Sequence, residues 1–302
     1  MYLLFLFYLC NIKIKCLLTN YKTFKKYNMK TKLNNISIYN ERMDKSIDDK
    51  LWFIDRIDAD IYVDFGCANG NLLKHLSYIH QKQGKTDIQY IGYDNNDEML
   101  KIARQNCNRF KNISFTNDFV NIRNDYDIFN DKKVCLILSS VLHEVYSYSK
   151  DLKEKKDFWE SIFNLDFDYI AIRDMTSGIN TDLFIPNINR IIEYQIITVK
   201  EKANKQQLLD FQRYWGRISS LHGLTHFLLK YKYLENWDRE VKENYLPLTF
   251  YLLKYRLNFS YEIKYEKRYC LPYLKDLFKK DFDIDFIGYT HYNLLLELKE
   301  IK

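Results

Sequence analysis

The run Val63-Asp64-Phe65-Gly66-Cys67-Ala68-Asn69-Gly70 places small residues at relative positions 0, 2 and 4, with an acidic residue two before the first glycine. Residues this small let backbone N–H groups and a following helix N-terminus come close to a polar ligand, which a bulky Cβ would prevent. A dinucleotide-binding turn would carry glycines at 0, 2 and 5, and position 5 here is Asn71. Asp94 ends the strand-like run Ile91-Gly92-Tyr93-Asp94. A carboxylate is acceptor-only, so it suits both hydroxyls of a ribose. Two further polar pairs stand out, His143-Glu144 and Arg173-Asp174. An imidazole titrates near neutral pH and suits a general base. His143 and Glu144 are expected to position an acceptor or remove its proton; the competing reading is that they only line a cofactor pocket. Asp174 is expected to hydrogen-bond an acceptor amine, or else to pair with Arg173.

These residues need a scaffold, and the apolar pattern supplies one. Strand-like runs at 61–65, 88–94, 112–118, 133–140 and 168–174 alternate with helix-like runs at 71–79, 97–110 and 150–164. That alternation implies βαβ units and a parallel sheet. Asp97 reads as the N-cap of the helix that begins there. Upstream, Ile47, Leu51, Ile54 and Ile57 share one face of a helix over 44–57. The rhythm stops after Met175. Residues 208–237 and 245–259 read as helices, with Pro186 and Pro247 near segment edges, so 176–260 is a helical insertion between the fifth and sixth strands. Sheet character returns at 261–269, a helix follows Pro272, and 292–299 is the last strand, with Thr290-His291 as a turn before it.

Hydrophobic residues make up 47% and charged residues 28% of the 302, a balance that excludes a disordered chain. The net charge of +6 permits contact with a polyanion without arguing for one. None of the six cysteines pairs at C-x-x-C spacing, so neither a zinc site nor a disulfide framework is expected, and a cytoplasmic setting is the simplest. His222 and His226 lie four apart without an H-E-x-x-H pattern, so no metal is expected there either. Met1 to Cys10 is apolar, yet Lys13 and Lys15 interrupt the pattern and no small-residue cleavage site follows. Ten residues are also too few to cross a bilayer. Met29 offers an alternative start, which makes 1–28 an N-terminal extension.

The turn at Gly66–Gly70, the string from Ile91 to Arg104 and Thr116-Asn117-Asp118-Phe119 follow one another at strand ends. Together they resemble the motifs of class I S-adenosylmethionine-dependent methyltransferases, over 61–175 and more weakly over 261–302. The resemblance implies an α/β fold, a doubly wound, mostly parallel seven-stranded Rossmann-like sheet formed by 29–175 and 261–302. The insertion 176–260 then caps the substrate. Asp64, Gly66, Cys67, Ala68 and Gly70 would cup the methionine end of S-adenosyl-L-methionine, Ala68 replacing a glycine at negative φ. Asp94 and Asn95 would take the ribose, with Met99 of a Met-Leu pair in the helix beyond. Asp118 would accept from the adenine amino group, and Phe119 would offer backbone or ring contact. Ser139 and the pair His143-Glu144 would face the sulfonium, with Tyr146 and Tyr148 as candidate aromatic walls. His143, Glu144 and Asp174 are the candidate catalytic set. The reaction implied is direct in-line transfer without a metal or covalent enzyme intermediate, to a small molecule or RNA. A nicotinamide-dependent oxidoreductase is disfavoured by the 0, 2, 4 spacing, and a non-catalytic cofactor-binding or RNA-binding module is the rival from another class. Lysines, arginines and aromatics interleave in the insertion, but acidic residues dilute them, which favours a solvated helical cap over a base-stacking surface.

Overall fold

The computed structural model describes residues 46–119, 122, 131–179, 186–246 and 260–299. The N-terminal extension 1–28 and most of the helix expected at 245–259 lie outside these residues. The strands form where apolar, β-branched and aromatic residues run together. They are β1 (Ile61–Phe65), β2 (Gln89–Tyr93), β3 (Ile113–Thr116), β4 (Val134–Ser139), β5 (Tyr169–Ile179), β6 (Tyr261–Tyr269) and β7 (Gly288–Leu298). They pair in the order β3-β2-β1-β4-β5-β7-β6. The first five are mutually parallel, and β7 runs antiparallel to both β5 and β6. All five residues of β1 are buried, as expected of a strand covered on both faces. This is the doubly wound, mostly parallel seven-stranded sheet implied above. Chain order reverses between β1 and β4, and the crevice at their carboxyl ends is where such sheets bind ligands.

The flanking helices are α1 (Ile47–Lys50), α2 (Asn71–Lys82), α3 (Asp97–Asn106), α4 (Leu142–Tyr148) and α5 (Leu152–Phe163). Beyond β5 come α6 (Ile188–Lys202), α7 (Lys205–Trp215), α8 (Leu221–Lys230), a 3₁₀ turn (Leu234–Asn236) and α9 (Trp237–Glu240); α10 (Pro272–Phe282) joins β6 to β7. The helices of the insertion share an apolar core with α10, built on Phe211, Leu224, Phe227, Leu228, Leu274 and Phe278. Among the described residues no helix is long and apolar enough to cross a membrane.

Four local expectations are corrected. The helix over 44–57 shrinks to the single turn α1, followed by turns to Arg56, yet Leu51, Phe53 and Ile57 are still buried. Asn96, not Asp97, caps α3: its side chain accepts from the Glu98 and Met99 N–H groups, and its extended backbone suits the role. The continuous helix over 208–237 breaks after Trp215, where Gly216 has φ +78° and Ser220 starts a new helix by accepting from Gly223 N–H. Thr290 and His291 form no turn; they belong to β7, and both are buried.

Candidate active site

The cradle forms because the chain must leave β1 and enter α2 within a few residues. Gly66 and Gly70 take φ of +80° and +76°. A Cβ on Gly66 would stand 3.0 Å from Val141 Cγ2, and one on Gly70 would stand 2.9 Å from Phe115 Cζ. Ala68 also takes a positive φ, +45°, against the expectation of a negative one. This left-handed geometry costs a non-glycine residue about 1–2 kcal/mol. A hydrogen bond holds it: Ala68 N–H donates to Asp94 Oδ2 at 2.9 Å. Gly66 and Cys67 N–H groups both donate to the Tyr93 carbonyl, at 2.8 and 2.9 Å, which ties the turn to the end of β2. Asp94 Oδ1 accepts from Asn96 N–H at 2.9 Å. Asn95 N–H donates to it as well, so three of the about four acceptor positions of an ionised carboxylate are used. Burial raises the Asp94 carboxyl above its ordinary range, and its backbone donors oppose that.

A small hollow over the turn is lined by Ile47, Lys50, Asp64, Gly66, Cys67, Asn69 and Ser139, among others. Asp64 is 3% exposed. Burial pushes its carboxyl up to about 7, Lys50 pulls it down, and Asp94 adds to the rise. Ser139 Oγ is buried without a hydrogen-bond partner. The orphaned hydroxyl, the cradle with no room for a Cβ and the half-buried Asp94 fit a ligand bearing both a backbone-sized polar end and a sugar. Met99 is buried on α3, beside the strand end. Asn95 is half-buried next to Asp94, and Asp118, whose N–H donates to Thr116 Oγ1 at 3.0 Å, is half-buried at the end of β3. Phe119 is 1% exposed and packs edge-on to Phe65, so its ring belongs to the core and only its backbone remains for a ligand.

At the end of β4 the chain turns through Ser140, at φ +57°, into α4. Asp174 lies wholly buried at the neighbouring position of β5 and caps that helix from outside. Its Oδ2 accepts from Leu142 and His143 N–H at 2.7 and 3.2 Å. Its Oδ1 faces His143 Nδ1 at 3.1 Å and Met175 N–H at 2.8 Å. Burial opposes charge on His143, but the Asp174 carboxylate and its hydrogen bond outweigh it and push the imidazole up to about 9. Arg173 does not pair with Asp174; its guanidinium holds Asp49 and donates to Ser140 Oγ.

A cleft of about 890 Å³, counting its open mouth, lies between this strand edge and the insertion. His143, Glu144, Ser140, Arg173 and Lys50 line it from the sheet side, and Lys232, Tyr233, Arg239, Glu240, Glu243 and Tyr245 from the insertion. Asp174 is not among the lining residues and sits behind His143. Arg239 bridges the two sides, donating to Glu144 Oε1 at 2.9 Å and Glu243 Oε1 at 2.6 Å. Tyr146 and Tyr148 do not wall the cleft. Tyr146 OH accepts from Trp159 Nε1 in the core, and Tyr148 OH donates to Glu243. His226 is buried in the insertion, and no group of three metal-binding side chains exists among the described residues. Arg239, Glu240, Glu243 and Lys50 carry no local motif; 95 residues separate Glu144 from Arg239, and only the fold joins them.

The profile of a family described as methyltransferase domain matches residues 58–210, about half of the chain, and the chain belongs to that family. It is a methyltransferase, and its methyl donor is S-adenosylmethionine. No curated protein matches the sequence. Solved structures that superpose on it include the plantazolicin methyltransferase BamL in complex with a triazolic desmethylPZN analog and SAH. That pair shares 11% identity with a TM-score of 0.48, covering 96% of this chain and 99% of that one. The N-methyltransferase NodS from Bradyrhizobium japonicum WM9 shares 9% identity with a TM-score of 0.37, covering 89% and 100%. A SAM-dependent methyltransferase from Aquifex aeolicus shares 19% identity with a TM-score of 0.34, covering 55% and 86%.

Proposed function

We propose that the chain methylates a small molecule bound in the cleft between the β4–β5 edge and the insertion, with His143 facing the acceptor. One observation carries this reading. His143 lines an open-mouthed cleft directly after β4, and Asp174 fixes its ring by one nitrogen. S-adenosylmethionine supplies a methyl group on a positively charged sulfur. Asp64, Gly66, Cys67, Ala68 and Gly70 bind its methionine end through the cradle, and Asp94 with Asn95 takes the ribose. Met99, Asp118 and the Phe119 backbone border the adenine, while Ser139 donates to the ligand from the end of β4.

With Nδ1 engaged by Asp174, Nε2 of His143 is left for the acceptor. Asp174 holds the imidazole up to about 9, so it accepts a proton only as pH approaches that value. Asp174 is a positioning residue, and Glu144, held by Arg239, shapes the wall. An RNA acceptor is disfavoured by the mixed charge of the insertion, where Glu240 and Glu243 stand among the basic residues.

Methyl-labelled S-adenosylmethionine incubated with cell extract tests this reading. Label is expected in the low-molecular-mass fraction, and label confined to RNA would overturn it. His143→Ala is expected to lower kcat at least tenfold, with S-adenosylhomocysteine affinity changed less than twofold. A loss confined to affinity would place His143 in the cofactor pocket instead.

A further inference from the structure

We propose that the acceptor is an amine, received as its ammonium by the side chain of Glu240. This rests on the cleft being the acceptor site. Glu240 is 5% exposed and lines the cleft from α9, and its Oε2 is buried without any hydrogen-bond partner. A buried carboxylate oxygen lacking a donor is costly, so its place in a folded protein calls for a donor that arrives with a ligand.

The groups facing Glu240 are Glu243, Arg239, Lys230 and His143. None of them donates to Glu240 Oε2. Arg239 holds Glu144 and Glu243. The Lys230 ammonium donates to the backbone carbonyls of Glu240 and Glu243 and lies 4.2 Å from the centre of the Tyr245 ring. His143 turns Nδ1 to Asp174. Elsewhere in the cleft Arg173 is held by Asp49, and Lys232 lies 5.1 Å from the ring centres of both Tyr233 and Tyr273. Arg239 is thus taken up by Glu144 and Glu243, and among the described residues Glu240 Oε2 has no hydrogen-bond donor. A hydroxyl would donate one hydrogen bond and leave the charge uncompensated, whereas an ammonium supplies both donors and charge.

Burial first, and Glu243 second, push the Glu240 carboxyl up to about 7, a direction that a bound cation would reverse. The transfer then balances as follows. The ammonium gives one proton to the Glu240 carboxylate, and the freed amine lone pair forms the N–C bond. The C–S electron pair leaves on sulfur, yielding a neutral thioether and a methylated ammonium. The proton on Glu240 passes to water. Positive charge moves from sulfur to nitrogen during the reaction, and the Glu240 carboxylate, once its proton has passed to water, again faces a cation.

The test uses the full chain, methyl-labelled S-adenosylmethionine and the small-molecule fraction of extract from the encoding cell. Half of that fraction is first acetylated with N-acetoxysuccinimide, and products are located by mass spectrometry. The expected result is label on nitrogen, abolished by acetylation. Label on oxygen, sulfur or carbon would overturn the amine assignment while leaving the methyl-transfer site standing. No label in any small molecule would instead overturn the acceptor-site reading beneath it. With the labelled amine in hand, Glu240→Gln should raise its KM at least tenfold with the KM for S-adenosylmethionine within twofold, and Glu240→Asp should recover part of the loss. An unchanged amine KM in Glu240→Gln would refute the role of Glu240.

Discussion

Asp174→Asn isolates the interaction that holds His143 in place. Burial lowers the His143 imidazole and the Asp174 carboxylate more than offsets it, for a net displacement from 6.5 to about 9. At about 1.36 kcal/mol per decade, that displacement contributes about 3 kcal/mol to folding. Because the imidazole is raised, the contribution is complete below about 6.5 and fades as pH climbs through about 9. The amide has one accepting oxygen where the carboxylate has two. Either Met175 N–H, or the Leu142 and His143 N–H groups, must then lose an acceptor. That adds about 1–3 kcal/mol at every pH. Urea denaturation of both proteins should therefore show Asp174→Asn less stable by about 4–6 kcal/mol at pH 6. At pH 10 the gap should narrow to about 1–3 kcal/mol, because His143 is then neutral in both. A gap of the same size at both pH values would refute the ion pair, and no gap at either would refute the capping of α4 as well.

Two other substitutions probe the scaffold of the site. Ala68→Gly should relieve the left-handed backbone at φ +45° and leave stability unchanged or raised by up to about 1 kcal/mol, with S-adenosylhomocysteine affinity retained; marked destabilisation by thermal melting would show that the alanine methyl is needed for packing. Arg239→Gln removes the guanidinium that bridges Glu144 and Glu243 and should cost about 3–5 kcal/mol by urea denaturation at pH 8, with less loss at pH 5, where Glu144, whose carboxyl burial raises, can take up a proton; an equal cost at both pH values would contradict the shared-charge description.

The sheet was legible because its strands are apolar runs bounded by polar or small residues, and β6 matched its expected limits of 261–269. Gly66, Gly70 and Asp94 were legible because a tight turn and a strand-end carboxylate leave a local signature. Errors arose where two local signals compete. Asn96 and Asp97 can both cap a helix, and the one whose backbone stays extended took the role. Thr290-His291 reads as polar and turn-like, but pairing of β7 with β5 and β6 draws both residues into the interior. The single helix expected over 208–237 ignored Gly216, whose positive φ ends α7. Of the cleft, His143 and Glu144 were legible as polar residues just after β4, but the side that the insertion contributes was not. Glu240, Arg239 and Lys230 meet Glu144 and His143 only through packing of the insertion on α4, and no spacing in the chain encodes that contact. Asp174 was found as a polar residue at a strand end, but its burial behind His143 emerged only from the fold.

Calorimetric titration with S-adenosylhomocysteine, on the wild-type chain and on Asp94→Ala, tests the cradle most directly. Saturable one-to-one binding by the wild type, weakened by about 1–3 kcal/mol in the variant, is the expected result. Equal affinity in the two proteins, or no binding by the wild type, would contradict the assignment of Gly66–Gly70 and Asp94 to the cofactor.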